Sequence, residues 1–145
     1  GIGHTRRVDR KKNKIITIKP SRNICKILEM NHEKITENIL MGYYDTLKVL
    51  KHYDGYKFTF YQSKDWYLKF LTRKVSKRQL TRLKNLFNVE NTREVVIKSL
   101  EYVLTKEHYN YYQIYFLPVI ITKLQKKIKK NTNIVYKFIL NLRII

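Results

Sequence analysis

The sequence predicts a helix-rich α+β domain behind a basic N-terminal arm. Three observations lead there. Between residues 76 and 106, apolar side chains recur at helical spacing behind two capping signatures. Short β-branched or alternating runs elsewhere have the period of strands. The chain also has the material for one core: 145 residues, 43% hydrophobic and 13% aromatic, despite a formal net charge of +20. The expected organisation is an extended arm over residues 1–14 and a single domain over 15–145.

The arm carries Arg6, Arg7, Arg10, Lys11, Lys12 and Lys14 and shows no hydrophobic period. Alone in water such a segment is expected to be disordered, and ordering it calls for a counter-charge. Residues 15–18, Ile-Ile-Thr-Ile, are β-branched and closed by Pro20, which reads as a short strand. Ser21 can cap a short helix to about Met30, with Ile24, Ile27 and Leu28 on one face. A longer helix is expected over 33–51, striped by Ile35, Ile39, Leu40, Tyr43, Leu47 and Leu50. Asp54-Gly55 signals a turn. In 56–61, Tyr56, Phe58 and Phe60 alternate with Lys57 and Thr59, the pattern of a strand. Residues 66–72 are apolar and aromatic, and fit either the partner strand of a hairpin or the start of a helix.

The next two elements have explicit boundaries. Ser76 and Gln79 form a capping box, with Leu80, Leu83 and Phe87 on one face and Asn88 as a stop. Asn91 and Glu94 offer a second start, followed by Val96, Leu100, Val103 and Leu104 at helical spacing. Tyr109, Tyr111, Tyr112 and Tyr115 crowd the stretch before Pro118, which suits the first turn of a helix. That helix would turn Ile121, Leu124 and Ile128 inward. After a turn at 131–133, Ile134, Tyr136, Phe138, Leu140, Leu142 and Ile144 alternate with Lys137, Asn141 and Arg143. The tail therefore reads as a strand, and 118–145 as a helix plus a strand.

Several functional classes find no support in the residues. A single cysteine, Cys25, allows no internal disulfide and no cysteine-based zinc site; among Ile24, Ile27 and Leu28 it reads as a small buried hydrophobe. His4, His32, His52 and His108 are scattered, with no second ligand at metal spacing. Glu33, Glu37, Glu90 and Glu94 sit in helix first turns or beside lysines, where dipole and capping roles explain them. No phosphate-binding glycine loop, nucleophile elbow or zinc-protease motif occurs. The expectation is a non-enzymatic protein with no cofactor and no metal. No apolar run approaches the ~18 residues of a membrane span, and the longest, 114–121, is interrupted by Pro118. A secretory leader is not expected, because the first residues are basic and lack an apolar block.

What remains is charge. Lys+Arg total 31 against 11 for Asp+Glu, and the basic residues cluster. One group is the arm. A second is Arg73, Lys74, Lys77, Arg78, Arg82 and Lys84, largely on the polar face of the helix that Ser76 begins. A third is Lys123, Lys126, Lys127, Lys129 and Lys130. An excess that persists over the whole chain points to nucleic acid, RNA before DNA. An anionic membrane surface fits less well, since the third group lacks Trp or Phe at its edge. Tyrosines and lysines interleave around residues 53–69, so those rings are either base-stacking platforms or core filler. Lys outnumbers Arg 22 to 9 and alanine is absent, while Asn, Ile and Tyr abound. Such usage implies an AT-rich coding genome: an organelle, of which the mitochondrion is favoured, a parasite or a virus.

Taken together, the small domain, the +20 charge, the basic arm, the scattered lysines and the AT-rich coding resemble small ribosomal proteins of organelles. That resemblance implies an RNA-binding structural component that positions rRNA phosphates beside neighbouring proteins of a large assembly. A second resemblance is to ribbon-helix-helix DNA-binding proteins, whose order is strand, helix, turn, helix. Residues 15–50 have this order, and 68–104 have it again, as in a tandem repeat. It implies that Thr17 and Lys19, or Lys69, Thr72 and Arg73, would enter the major groove. The glycine usual between that family's helices is missing from both copies. Between the two, the organellar ribosomal reading is preferred, because +20 exceeds what a groove-reading dimer needs.

Overall fold

The computed structural model describes residues 5–9, 14–19, 32–129 and 132–144. Its elements run β1 (Thr5–Asp9), β2 (Lys14–Ile18), α1 (His32–Lys51), β3 (Thr59–Phe60), α2 (Asp65–Leu71), α3 (Lys77–Phe87), α4 (Thr92–Lys106), β4 (Ile114–Tyr115), α5 (Leu117–Lys127) and α6 (Ile134–Asn141). Helices dominate and the strands are short, as the sequence predicts.

The core forms around α4. Its Val95, Val96, Leu100, Val103 and Leu104 are fully buried. α2, α3 and α6 all pack against this helix, and α5 packs against α6. Leu71 from α2, Leu83 from α3, Ile121 and Leu124 from α5, and Phe138 and Ile139 from α6 complete the interior. Burying a side chain of this size contributes roughly 1.5–3 kcal/mol, so the many such residues outweigh a weak local propensity in any one helix.

Both N-caps in the middle of the chain act as read, through the N-cap half of the box. The Ser76 hydroxyl accepts from the Gln79 N–H at 3.1 Å, and the Asn91 side chain accepts from the Glu94 N–H at 2.9 Å. α3 ends on Asn88, in the left-handed region at φ 53°; Val89 N–H reaches back to the Lys84 carbonyl and Asn88 N–H to that of Asn85. This is a Schellman closure, with Asn where glycine is commoner. His108, at φ 58°, closes α4 in the same way through Tyr109 and Leu104. Pro118 lies in the first turn of α5.

Five expectations are corrected. First, the arm is not wholly without structure: Thr5–Asp9 pairs antiparallel with Lys14–Ile18, setting Arg6 opposite Thr17 and Arg7 opposite Ile16. The β-branched run supplies the ladder partner that the arm's own sequence gives no hint of. Second, α1 is present, but its docked face is Met41, Tyr44, Asp45 and Lys48, whereas Ile39, Tyr43 and Leu50 of the apolar stripe are exposed. The contacts of this docked face are both apolar and polar. Lys48 pairs with Asp45 and donates to the Tyr56 carbonyl, and the Tyr44 ring lies 6.2 Å from that of Tyr112.

Third, only Thr59–Phe60 of the 56–61 run is a strand, parallel to Ile114–Tyr115. The amides of Tyr56 and Phe58 are taken by the Glu101 carboxylate instead of a sheet. Gly55 permits the tight return. Its φ is 117°, and a Cβ there would lie 2.0 Å from the Phe58 carbonyl oxygen.

Fourth, residues 68–74, the ribbon of the second repeat copy, lie in α2 and the turn after it. Burial of Tyr67, Leu68 and Leu71 at helical spacing settles the open choice for 66–72 in favour of helix. Fifth, the tail is helical. α6 buries Val135, Phe138 and Ile139, and Leu142 follows them into the core. The alternation is broken by Val135 and Ile139, both apolar, which fall on what would have been the polar side of a strand. The expected helix of residues 21–30 and Cys25 lie outside the described residues.

Candidate nucleic-acid interface

α3 turns Leu83 into the core, with Leu80 and Phe87 packed beside it, which leaves Lys77, Arg78 and Arg82 on the opposite, exposed face. Arg73 and Lys74 are exposed in the turn before it. No acidic residue occurs between Asp65 and Glu90, so this surface has no local counter-charge. The stretch after Glu107 contains none either. Within it, α5 and the residues after it expose Lys123, Lys126, Lys127 and Lys129, and α6 exposes Lys137.

α6 packs against α3, and the two acid-free stretches meet there. Ser76, Arg78, Gln79 and Arg82 from the α3 side, with Thr132 and Lys137 from the α6 side, line a cleft of about 320 Å³. Arg73, Lys74, Lys77 and the α5 lysines lie outside it. Lys127 is partly engaged, 3.8 Å from Glu107 and 4.9 Å from the Tyr109 ring centre. Among the described residues, Arg73, Lys74, Lys77, Arg78, Arg82, Lys123, Lys126 and Lys129 form no ion pair. Of the arm, Arg6 and Arg7 fall on β1 and Lys14 on β2; Arg10, Lys11, Lys12 and also Lys130 lie outside the described residues.

Four of the acids bond across the fold. Arg93 donates to Asp54 and Asp65, each at 2.8 Å, and to the Ser63 carbonyl at 2.6 Å. This ties α4 to α2 and to the turn at Asp54. Burial pushes the Asp54 carboxyl above its usual range, even though Arg93 pulls the other way. Glu101, 6% exposed, accepts from Tyr56 N–H at 2.8 Å and Phe58 N–H at 2.7 Å. Burial raises its pKa too, opposed by those two amides and by Lys48 and Lys98. Glu107 accepts from the Tyr136 hydroxyl at 3.2 Å.

Sequence reasoning missed Arg93 and Glu101, and it placed Lys137 on a strand. The acid-free stretches were the available signal for the cleft, and they cover Lys137 as well as Arg78 and Arg82. The open choice for the aromatic residues divides. Tyr67 and Tyr115 are buried, and Tyr109 and Tyr111 pack on the core, whereas Tyr61, Trp66 and Phe116 are exposed.

Among the described residues, no group of three or more His, Cys, Asp or Glu could hold a metal ion. No described helix is long and apolar enough to cross a membrane. No family model, curated protein or solved structure matches this chain.

Proposed function

We propose that this protein is a non-enzymatic RNA-binding component of a ribonucleoprotein assembly, and that the assembly is an organellar ribosome. One observation carries the RNA-binding reading. The two acid-free stretches meet at α3 and α6, most of their cations standing in solvent, while Asp54, Glu101 and Glu107 bond across the fold. A charge of +20, with five of the eleven acids bonded to other groups of the fold, leaves an exterior that repels itself until anions surround it. Lysines and arginines then neutralise phosphates where RNA helices crowd, releasing counterions as they do so. Capped helices fixed on α4 hold those cations on a rigid surface. Specificity comes from RNA shape, because side chains read the deep, narrow groove of A-form RNA poorly. The ribosomal and organellar part rests on composition: small size, excess lysine and AT-rich coding.

The test is the identity of the nucleic acid that co-purifies with the protein from its native source. A single dominant ribosomal RNA is the expected result. Duplex DNA would overturn the reading and return the ribbon-helix-helix alternative.

A further inference from the structure

Two helices remote in the chain open their N-termini onto one cleft. Ser76 is the N-cap of α3, and Thr132 lies next to Asn133, the N-cap of α6. Both line the cleft, with Arg78 in the first turn of α3, Arg82 one turn further on, and Lys137 at the fourth position of α6. Neither helix has an acidic residue in its first turn. This inverts the usual arrangement. The positive end of a helix favours carboxylates, and cations there meet both the dipole and one another unfavourably. Three cations and two helix N-termini therefore converge on a space of about 320 Å³ to which no acidic side chain contributes.

An anion relieves that conflict. The caps use the N–H groups of Gln79 and Val135, while those of Lys77 and Arg78 lie in the first turn, where a helix offers no internal acceptor. Arginine forks match the oxygens of a phosphate bidentately, and a phosphate at a helix N-terminus also meets the positive end of the dipole. Resting on the RNA-binding reading above, we propose that this cleft is a phosphate-binding site that grips one backbone phosphate of the RNA. Arg78 and Arg82 form the fork, Lys137 supplies a point charge from the opposite wall, and Ser76 and Thr132 bound the site.

The test compares the wild type with R78K/R82K, which keeps the charge and removes the fork, and with K51R/K106R, at two exposed lysines that do not line the cleft. Affinity for an RNA hairpin is measured at fixed salt, with melting curves confirming that each variant is folded. R78K/R82K should bind about 10-fold more weakly, because a lysine cannot reproduce bidentate contacts. K51R/K106R should bind like wild type. Equal binding by R78K/R82K and wild type would overturn the site while leaving RNA binding intact. Inorganic phosphate followed through amide shifts supplies the second arm. Shifts at Lys77, Arg78 and Ile134 that vanish in R78Q/R82Q are expected, and no shifts would overturn the site. Phosphate shifts in a protein that ignores the hairpin, or that prefers duplex DNA, would overturn the assignment to RNA.

Discussion

Glu101 is a buried carboxylate whose oxygen Oε2 holds two backbone amides of the 54–60 turn. Removing the acceptor would strand both N–H groups. Glu101→Ala should therefore cost about 2–6 kcal/mol, at ~1–3 kcal/mol per unsatisfied group. Glu101→Gln keeps an acceptor oxygen and loses the burial cost of the charge, so it should lie within ~1 kcal/mol of wild type at neutral pH. The pH dependence has a definite sign. Burial raises the Glu101 pKa above its ordinary 4.5. The folded state thus takes up the proton more readily than the unfolded one. This group's contribution is fully present below pH 4.5 and is lost as the pH rises through the folded value. Wild type should gain stability relative to Glu101→Gln as the pH falls from neutral to that point, and denaturant titrations of both proteins across the range check it. None of this was legible in the sequence. The Glu101 partners lie 43 and 45 residues away, and the Arg93 partners 28 and 39. By contrast, Ser76 and Gln79 bond across three residues, and there the sequence was sufficient.

Elements were legible where local signals agreed. α3 and α4 carry an N-cap, a helical stripe and a left-handed stop, so propensity, pattern and tertiary packing all point one way. The tail lacked that agreement. Its β-branched and aromatic residues favour a strand, but Val135, Phe138, Ile139 and Leu142 match the spacing of a helix face, and packing on α4 decides. In α1, likewise, the face that docks carries Met41, Tyr44 and Lys48, the last bonded to the Tyr56 carbonyl, and not the apolar stripe. The tail gives a direct comparison. Ile139 is fully buried and Leu140 only half-buried. Ile139→Ala should cost about 2–5 kcal/mol, and Leu140→Ala clearly less, in chemical denaturation. A strand with Phe138 and Leu140 inward would give the reverse order.

At the scale of the molecule, charge is sorted by position. Asp54, Asp65, Glu101 and Glu107 bond across the fold, while Lys77, Arg78 and Arg82 of α3 and Lys123 and Lys126 of α5 face solvent. The sequence showed the excess and its clusters. It could not show that Arg78, Arg82 and Lys137 share a cleft, because that follows from docking α6 on α3. The central claim is that this exterior binds RNA by neutralising phosphates. The measurement closest to it is the affinity of the full chain for an RNA hairpin across a salt series. With ~8 phosphate contacts, at roughly −0.7 to −0.9 each, log K should fall against log salt with a slope near −6 to −7. Binding that is insensitive to salt, or no binding at low salt, would contradict the account.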